Sequence, residues 1–144
     1  MDFDQITVGL RATWQKRITE VEVLQYAAIT GDHNPVHVDA DAAARGPYGE
    51  RIAHGMLSAG LLSAAMADGV PGPGAVYLSQ SLSFKRPVRL GDVITAEVEV
   101  LEIKPRTRRV RLATRCRNQA DELVLDGEAM VMLPAAADSG PDAA

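Results

Sequence analysis

The run from Gly55 to Ala67 constrains the fold of this chain more than any other stretch. Written on a helix, Gly55, Met56, Leu57, Ala59, Gly60, Leu61, Leu62, Ala64, Ala65, Met66 and Ala67 put apolar or very small groups on all sides. Ser58 and Ser63 are the only polar side chains between His54 and Asp68. A helix that is apolar all round is expected to be buried all round. The run is too short to cross a bilayer, which takes roughly 20 apolar residues. The rest of the chain must therefore supply something that wraps it.

That material follows the helix, which Gly69 and Pro71 close. Ile94, Ala96, Val98 and Val100 alternate with Thr95, Glu97 and Glu99, and Val110, Leu112, Thr114 and Cys116 alternate with Arg109, Arg111, Ala113 and Arg115. Period-two alternation with turns at Gly91-Asp92, Lys104-Pro105 and Asn118 to Asp121 predicts consecutive antiparallel strands with one buried face. Val76 to Phe84 predicts another strand, and Leu123 to Leu133 a last one interrupted at Asp126-Gly127. The first 70 residues carry helix and loop signals instead. Thr19-Glu20-Val21-Glu22 has capping-box spacing, and the helix it opens runs to Gly31, where a C′ glycine belongs. Asp39 reads as the N-cap of a short helix over Ala40 to Ala44, which the Gly46, Pro47 and Gly49 loop then breaks. The expected architecture is α+β, an antiparallel sheet wrapped around one long helix. A length of 144 residues with 47% hydrophobic content fits one domain over 1–134, with 135–144 as a disordered tail.

Composition narrows the partners. A net charge of -4 gives no pull toward nucleic acid or an anionic membrane. Cys116 stands alone, and the acidic start Met1-Asp2-Phe3-Asp4 has no apolar run behind it, so a cytoplasmic location is expected. There is no Cys/His ligand cluster, Gly-rich phosphate loop or G-x-S-x-G elbow, so neither metal nor cofactor is expected.

The chemistry-bearing stretch is Thr30-Gly31-Asp32-His33-Asn34-Pro35-Val36-His37. Five residues of continuous helix would turn Asp32 and His37 roughly 140° apart. Pro35 removes a backbone donor and pushes Asn34 toward an extended conformation, which predicts an irregular loop here. Such a loop can fold both side chains toward one point, and an acid/base pair aimed at one water is the simplest use for it. Asn34 is a loop stabiliser by type. Gly55 stands where the apolar helix starts, so its N–H is an unpaired donor at the positive end of the helix dipole. An oxygen that gains negative charge during a reaction is stabilised at such a place.

Asp32-His33-Asn34-Pro35-Val36-His37, then His54-Gly55-Met56-Leu57, then Leu78-Ser79-Gln80-Ser81-Leu82-Ser83-Phe84-Lys85 resemble the MaoC-like (R)-specific enoyl-CoA hydratases. The resemblance covers Val8 to Leu133 and implies a hot-dog fold, a homodimer, and reversible hydration of trans-2-enoyl-CoA to (3R)-3-hydroxyacyl-CoA. It further implies Asp32 and His37 as the catalytic pair, with Ser63 hydrogen-bonding near them and Met66 and Val131 lining an acyl pocket. Coenzyme A brings phosphates. Seven of the fifteen basic residues lie between Lys104 and Arg117, but their spacing suits the solvent face of a strand. Lys85, Arg86 and Arg89 are the better phosphate candidates. The alternatives are a dehydratase of carrier-protein or polyketide thioesters, a hot-dog thioesterase, and a non-catalytic acyl-CoA-binding module.

Overall fold

The computed structural model describes residues 1–135, so the tail expected over 135–144 lies, past Ala135, outside the described residues. After a short 3-10 turn at Phe3–Gln5 the chain forms β1 (Arg11–Arg17), α1 (Glu20–Thr30), α2 (Pro35–Val38), α3 (Ala40–Ala44) and α4 (Gly55–Asp68). It then forms β2 (Val76–Gln80), β3 (Ser83–Phe84), β4 (Val93–Lys104), β5 (Arg109–Arg117) and β6 (Leu123–Met132). The strands make one antiparallel sheet in the order β1-β4-β5-β6-β2, with β3 also on β6. This is the α+β, hot-dog arrangement expected of the chain.

The period-two pattern decides which face is inside. Ile94, Ala96, Val98, Val100, Val110, Leu112 and Cys116 are fully buried and share one core with Leu62, Ala65 and Met66 of α4. On the outer face Arg115 pairs with Glu97 and Glu99, and Arg111 pairs with Glu128. The late arginines are thus the solvated face of a strand, as their spacing predicts.

Four expectations need correction. β1 lies within the first 70 residues and pairs with β4; its residues are nearly all exposed, so they carry no clear alternation. The predicted strand from Val76 to Phe84 is broken at Ser81-Leu82, while β6 runs unbroken through Asp126-Gly127. The cause is a close crossing: a Cβ on Gly127 would stand 1.8 Å from the Ser81 carbonyl oxygen. Third, α4 is not buried all round. Met56, Gly60, Ser63 and Ala67 form an exposed stripe along it. Fourth, the segment after Asn34 is not irregular throughout. Pro35 opens the single helical turn α2 from its first position, where its missing N–H costs nothing.

The two sheet edges differ in chemistry. β1 carries Arg11, Lys16 and Arg17, the kind of charges that discourage edge-to-edge pairing. β2 instead leaves Val76, Tyr77 and Leu78 each about two-fifths exposed.

Candidate active site

α1 delivers the chain to the site. Thr19 caps its start in a capping box with Glu22, and Gly31 ends it in the left-handed region at φ 84°, its N–H donating to the Ala27 carbonyl at 2.8 Å. From there local hydrogen bonds shape the turn. Thr30 Oγ1 accepts from the Asp32 N–H at 3.2 Å, Asp32 Oδ1 from the Asn34 N–H at 3.2 Å, and Asn34 Oδ1 from the Val36 N–H at 3.3 Å. Asn34 thus acts as a loop stabiliser and as the N-cap of α2.

His37 is buried, and its Nδ1–H donates to the Ile52 carbonyl at 2.7 Å. A carbonyl can only accept, so Nδ1 carries the proton and the neutral ring keeps its lone pair on Nε2. The Ile52 carbonyl is itself held in place, because the Ile52 N–H donates to Val36 and the Ala53 N–H donates to Val88.

His54 is also buried, although its sequence context suggests only a helix cap or a packed histidine. It is the N-cap residue of α4 but its side chain makes no capping bond. Its Nε2–H donates to the Asp32 carbonyl at 2.9 Å, and its ring stacks on His37 with centroids 3.9 Å apart and planes 29° apart. Tyr26 packs against it with a centroid distance of 4.6 Å. Ligand-type atoms of Asp32, His37 and His54 lie within 4.8 Å of one another. Stacked imidazoles send their in-plane lone pairs side by side rather than to one point. The group therefore fits a water between Asp32 and His37 better than a metal ion.

The His54 side chain does not cap α4, and while the Leu57 N–H is taken by the His54 carbonyl at 3.1 Å, the Gly55 N–H at the helix start has no partner among the described residues. Gly55, His37, Ser58, Phe84, Lys85 and Arg86 line a cavity of about 370 Å³. A Cβ on Gly55 would stand 2.6 Å from the Phe84 ring, so any larger residue has to displace that ring. Ser58 is a residue the sequence reading missed. It is buried, and its hydroxyl has no partner among the described residues. Its being one of only two polar side chains between His54 and Asp68 was the available signal.

Ser63 does not join the pair. It is exposed, eight residues beyond Gly55, or roughly 12 Å along the helix at 1.5 Å per residue. There it lines a second cavity of about 120 Å³ with Met66, Ala67, Ala75, Tyr77 and Val131. Burial pushes the Tyr77 hydroxyl up to about 12, helped by the neighbouring Cys116, and the hydroxyl donates to Gln80. Of the three basic candidates, Lys85 makes no ion pair among the described residues and Arg86 pairs with Glu122 at 3.1 Å. Arg89 is turned away, bound to Glu50 at 3.0 Å and to the Tyr48 carbonyl at 3.2 Å.

A family model described as a MaoC like domain matches residues 5–121. A 3-hydroxybutyryl-CoA dehydratase from Methylorubrum extorquens is 49% identical over 139 residues, 96% of this chain and 88% of that protein. An (R)-specific enoyl-CoA hydratase from Aeromonas caviae is 42% identical over 134 residues, 93% of this chain and all of that protein. Among solved structures, the unliganded R-hydratase PhaJ1 from Pseudomonas aeruginosa superimposes with a TM-score of 0.87 at 48% identity, covering 96% of this chain and 93% of that one.

Proposed function

The chain belongs to the MaoC-like family, and from that membership we propose that it is an (R)-specific hydratase of trans-2-enoyl-CoA thioesters. The observation that carries the reading is the convergence of three groups. Ligand-type atoms of Asp32 and of the buried His37, whose Nδ1–H is bound to Ile52, lie within 4.8 Å of each other, and His37 and the Gly55 main chain line one cavity.

A water donates its hydrogens to Asp32 and to His37 Nε2. Its oxygen bonds to C3 of the enoyl thioester while one water proton passes to the pair, with Asp32 as principal base and His37 as relay. The C2–C3 π electrons move toward the thioester oxygen, whose growing charge the Gly55 N–H and the start of the α4 dipole stabilise. The pair then returns a proton to C2, and both side chains end as they began. No metal or cofactor takes part in these steps. Ser63, Met66 and Val131 form the acyl end, a short way along α4, and Lys85 and Arg86 at the rim of the larger cavity meet the phosphates of coenzyme A.

The working form is a homodimer in the cytoplasm, with one domain per chain. The exposed apolar edge of β2, the Met56 to Ala67 stripe and the exposed Asp32 support a second copy as their cover. A carboxylate that must act as a base gains from losing bulk water around it.

The test is incubation with crotonyl-CoA, following the enoyl-thioester absorbance and free thiol together. Absorbance loss without thiol is expected, and thiol release would mean a thioesterase. Asp32→Asn and His37→Gln should each lower kcat by about 10²-fold or more. Activity surviving in both variants would sink the pair.

A further inference from the structure

We propose that His54 is a positioning residue, one that locks the Asp32 turn and the His37 ring into one unit. The proposal rests on the hydratase reading above.

Three contacts argue for it. The Nε2–H of His54 donates to the main-chain carbonyl of Asp32, 22 residues earlier, and so ties α4 to the turn that carries the carboxylate. The same ring stacks on His37 with centroids 3.9 Å apart, so it also limits how far that imidazole can tilt. Tyr26 of α1 closes on it from a third direction. One buried side chain thereby fixes both members of the proposed pair against two helices.

The unmatched atom on His54 separates this role from plain packing. With Nε2 protonated by its bond to a carbonyl, Nδ1 carries a lone pair, and that buried atom has no hydrogen-bond partner among the described residues. Buried polar atoms are nearly always paired, and one left unpaired calls for a reason. A phenyl ring would fill the space between Tyr26 and His37 without leaving an orphaned lone pair on the ring. What a phenyl ring lacks is the Nε2–H donor to Asp32. The donor is the feature for which the orphan is tolerated.

Two substitutions divide the ring into its parts. His54→Phe keeps an aromatic ring for stacking and removes the donor. His54→Gln keeps an amide N–H at the distance of Nε2 and removes the ring. A positioning role predicts that His54→Phe lowers kcat for crotonyl-CoA roughly 100-fold, the scale of a misplacement near 1 Å, with KM changed less than threefold. His54→Gln should recover most of that loss. A packing role predicts the reverse order, since Phe conserves shape better than Gln. Phe activity within threefold of the parent would overturn the proposal, as would equal losses in two folded variants.

A second measurement needs neither variant. Long-range proton–nitrogen NMR of the parent protein should find His54 protonated at Nε2 and His37 at Nδ1. His54 protonated at Nδ1 instead would overturn the proposal even if neither variant folds. A parent protein that fails to hydrate crotonyl-CoA would refute the hydratase reading separately, leaving this tautomer test as it stands.

Discussion

Gly55→Ala separates stability from catalysis in one substitution. The new Cβ would stand 2.6 and 2.8 Å from two carbons of the Phe84 ring, closer than real contacts allow. The ring is 52% exposed, so it swings outward rather than forcing the backbone to move. Fully burying a phenylalanine stabilises by about 1.5–3 kcal/mol, so losing the buried half costs about 1 kcal/mol. Against this, alanine favours helix over glycine by up to about 1 kcal/mol, and less at a first position. The two nearly cancel, and Tm should move by no more than roughly 2–4 °C. Activity has no such compensation, because the methyl group and the displaced ring crowd the amide that is proposed to receive the thioester oxygen. Loss of one oxyanion donor typically costs about 10²–10³ in kcat. The assay is a thermal melt beside the crotonyl-CoA absorbance trace. A variant with parental Tm and kcat within threefold would refute the oxyanion assignment. A Tm lowered by more than 10 °C, a bound set by the roughly 2–4 °C expected above, would refute the swinging ring.

Other tests address the scaffold. The Thr19 hydroxyl, above all, holds the Glu22 carboxyl at about 2, below its ordinary 4.5. A depressed carboxyl stabilises the fold above its unfolded value and loses that contribution as pH falls from 4.5 toward 2. Thr19→Ala should therefore cost about 1 kcal/mol near neutrality, and the gap in denaturant melts should shrink through that acid range; a gap that widens there would contradict the assignment. Burial pushes the Cys116 thiol up to about 12, so an aromatic disulfide reagent should find it inert in the folded protein and reactive once unfolded. Leu62→Ala empties a fully buried site beneath the sheet and should cost about 2–5 kcal/mol in the same melts.

What could be read from the residues follows from how local each cause is. β4 and β5 were legible because Ile94 to Val100 and Val110 to Cys116 alternate against a single buried face. α1 was legible because Thr19, Glu22 and Gly31 mark both of its ends. β1 was not, since an exposed edge strand such as Arg11–Arg17 has little reason to alternate. The break between β2 and β3 has its cause at Gly127, far along the chain. At the site, Asp32, His37 and Gly55 were visible as residue types with a use. Ser58 and Ser63 were visible as the two hydroxyls of α4, but which of them faces the larger cavity depends on how the helix is rotated in the sheet. His54 hid for a similar reason, because its partner is a main-chain carbonyl, which leaves no mark in a sequence.

The two carbonyls that fix the imidazole tautomers have a stereochemical consequence for the proposed chemistry. With Nδ1–H of His37 committed to Ile52, neither Asp32 nor His37 Nε2 can donate to a water between them. In the proposed arrangement both hydrogens of that water would point at acceptors, leaving its lone pairs to face the cavity. It is a one-sided nucleophile, able to meet only the face of the alkene that is turned toward it. Under the proposed mechanism the proton for C2 comes back from the same pair, so oxygen and hydrogen would join the double bond from one side. The handedness of the product would then depend on the peptide group that orients His37 together with the face of the alkene the cavity presents.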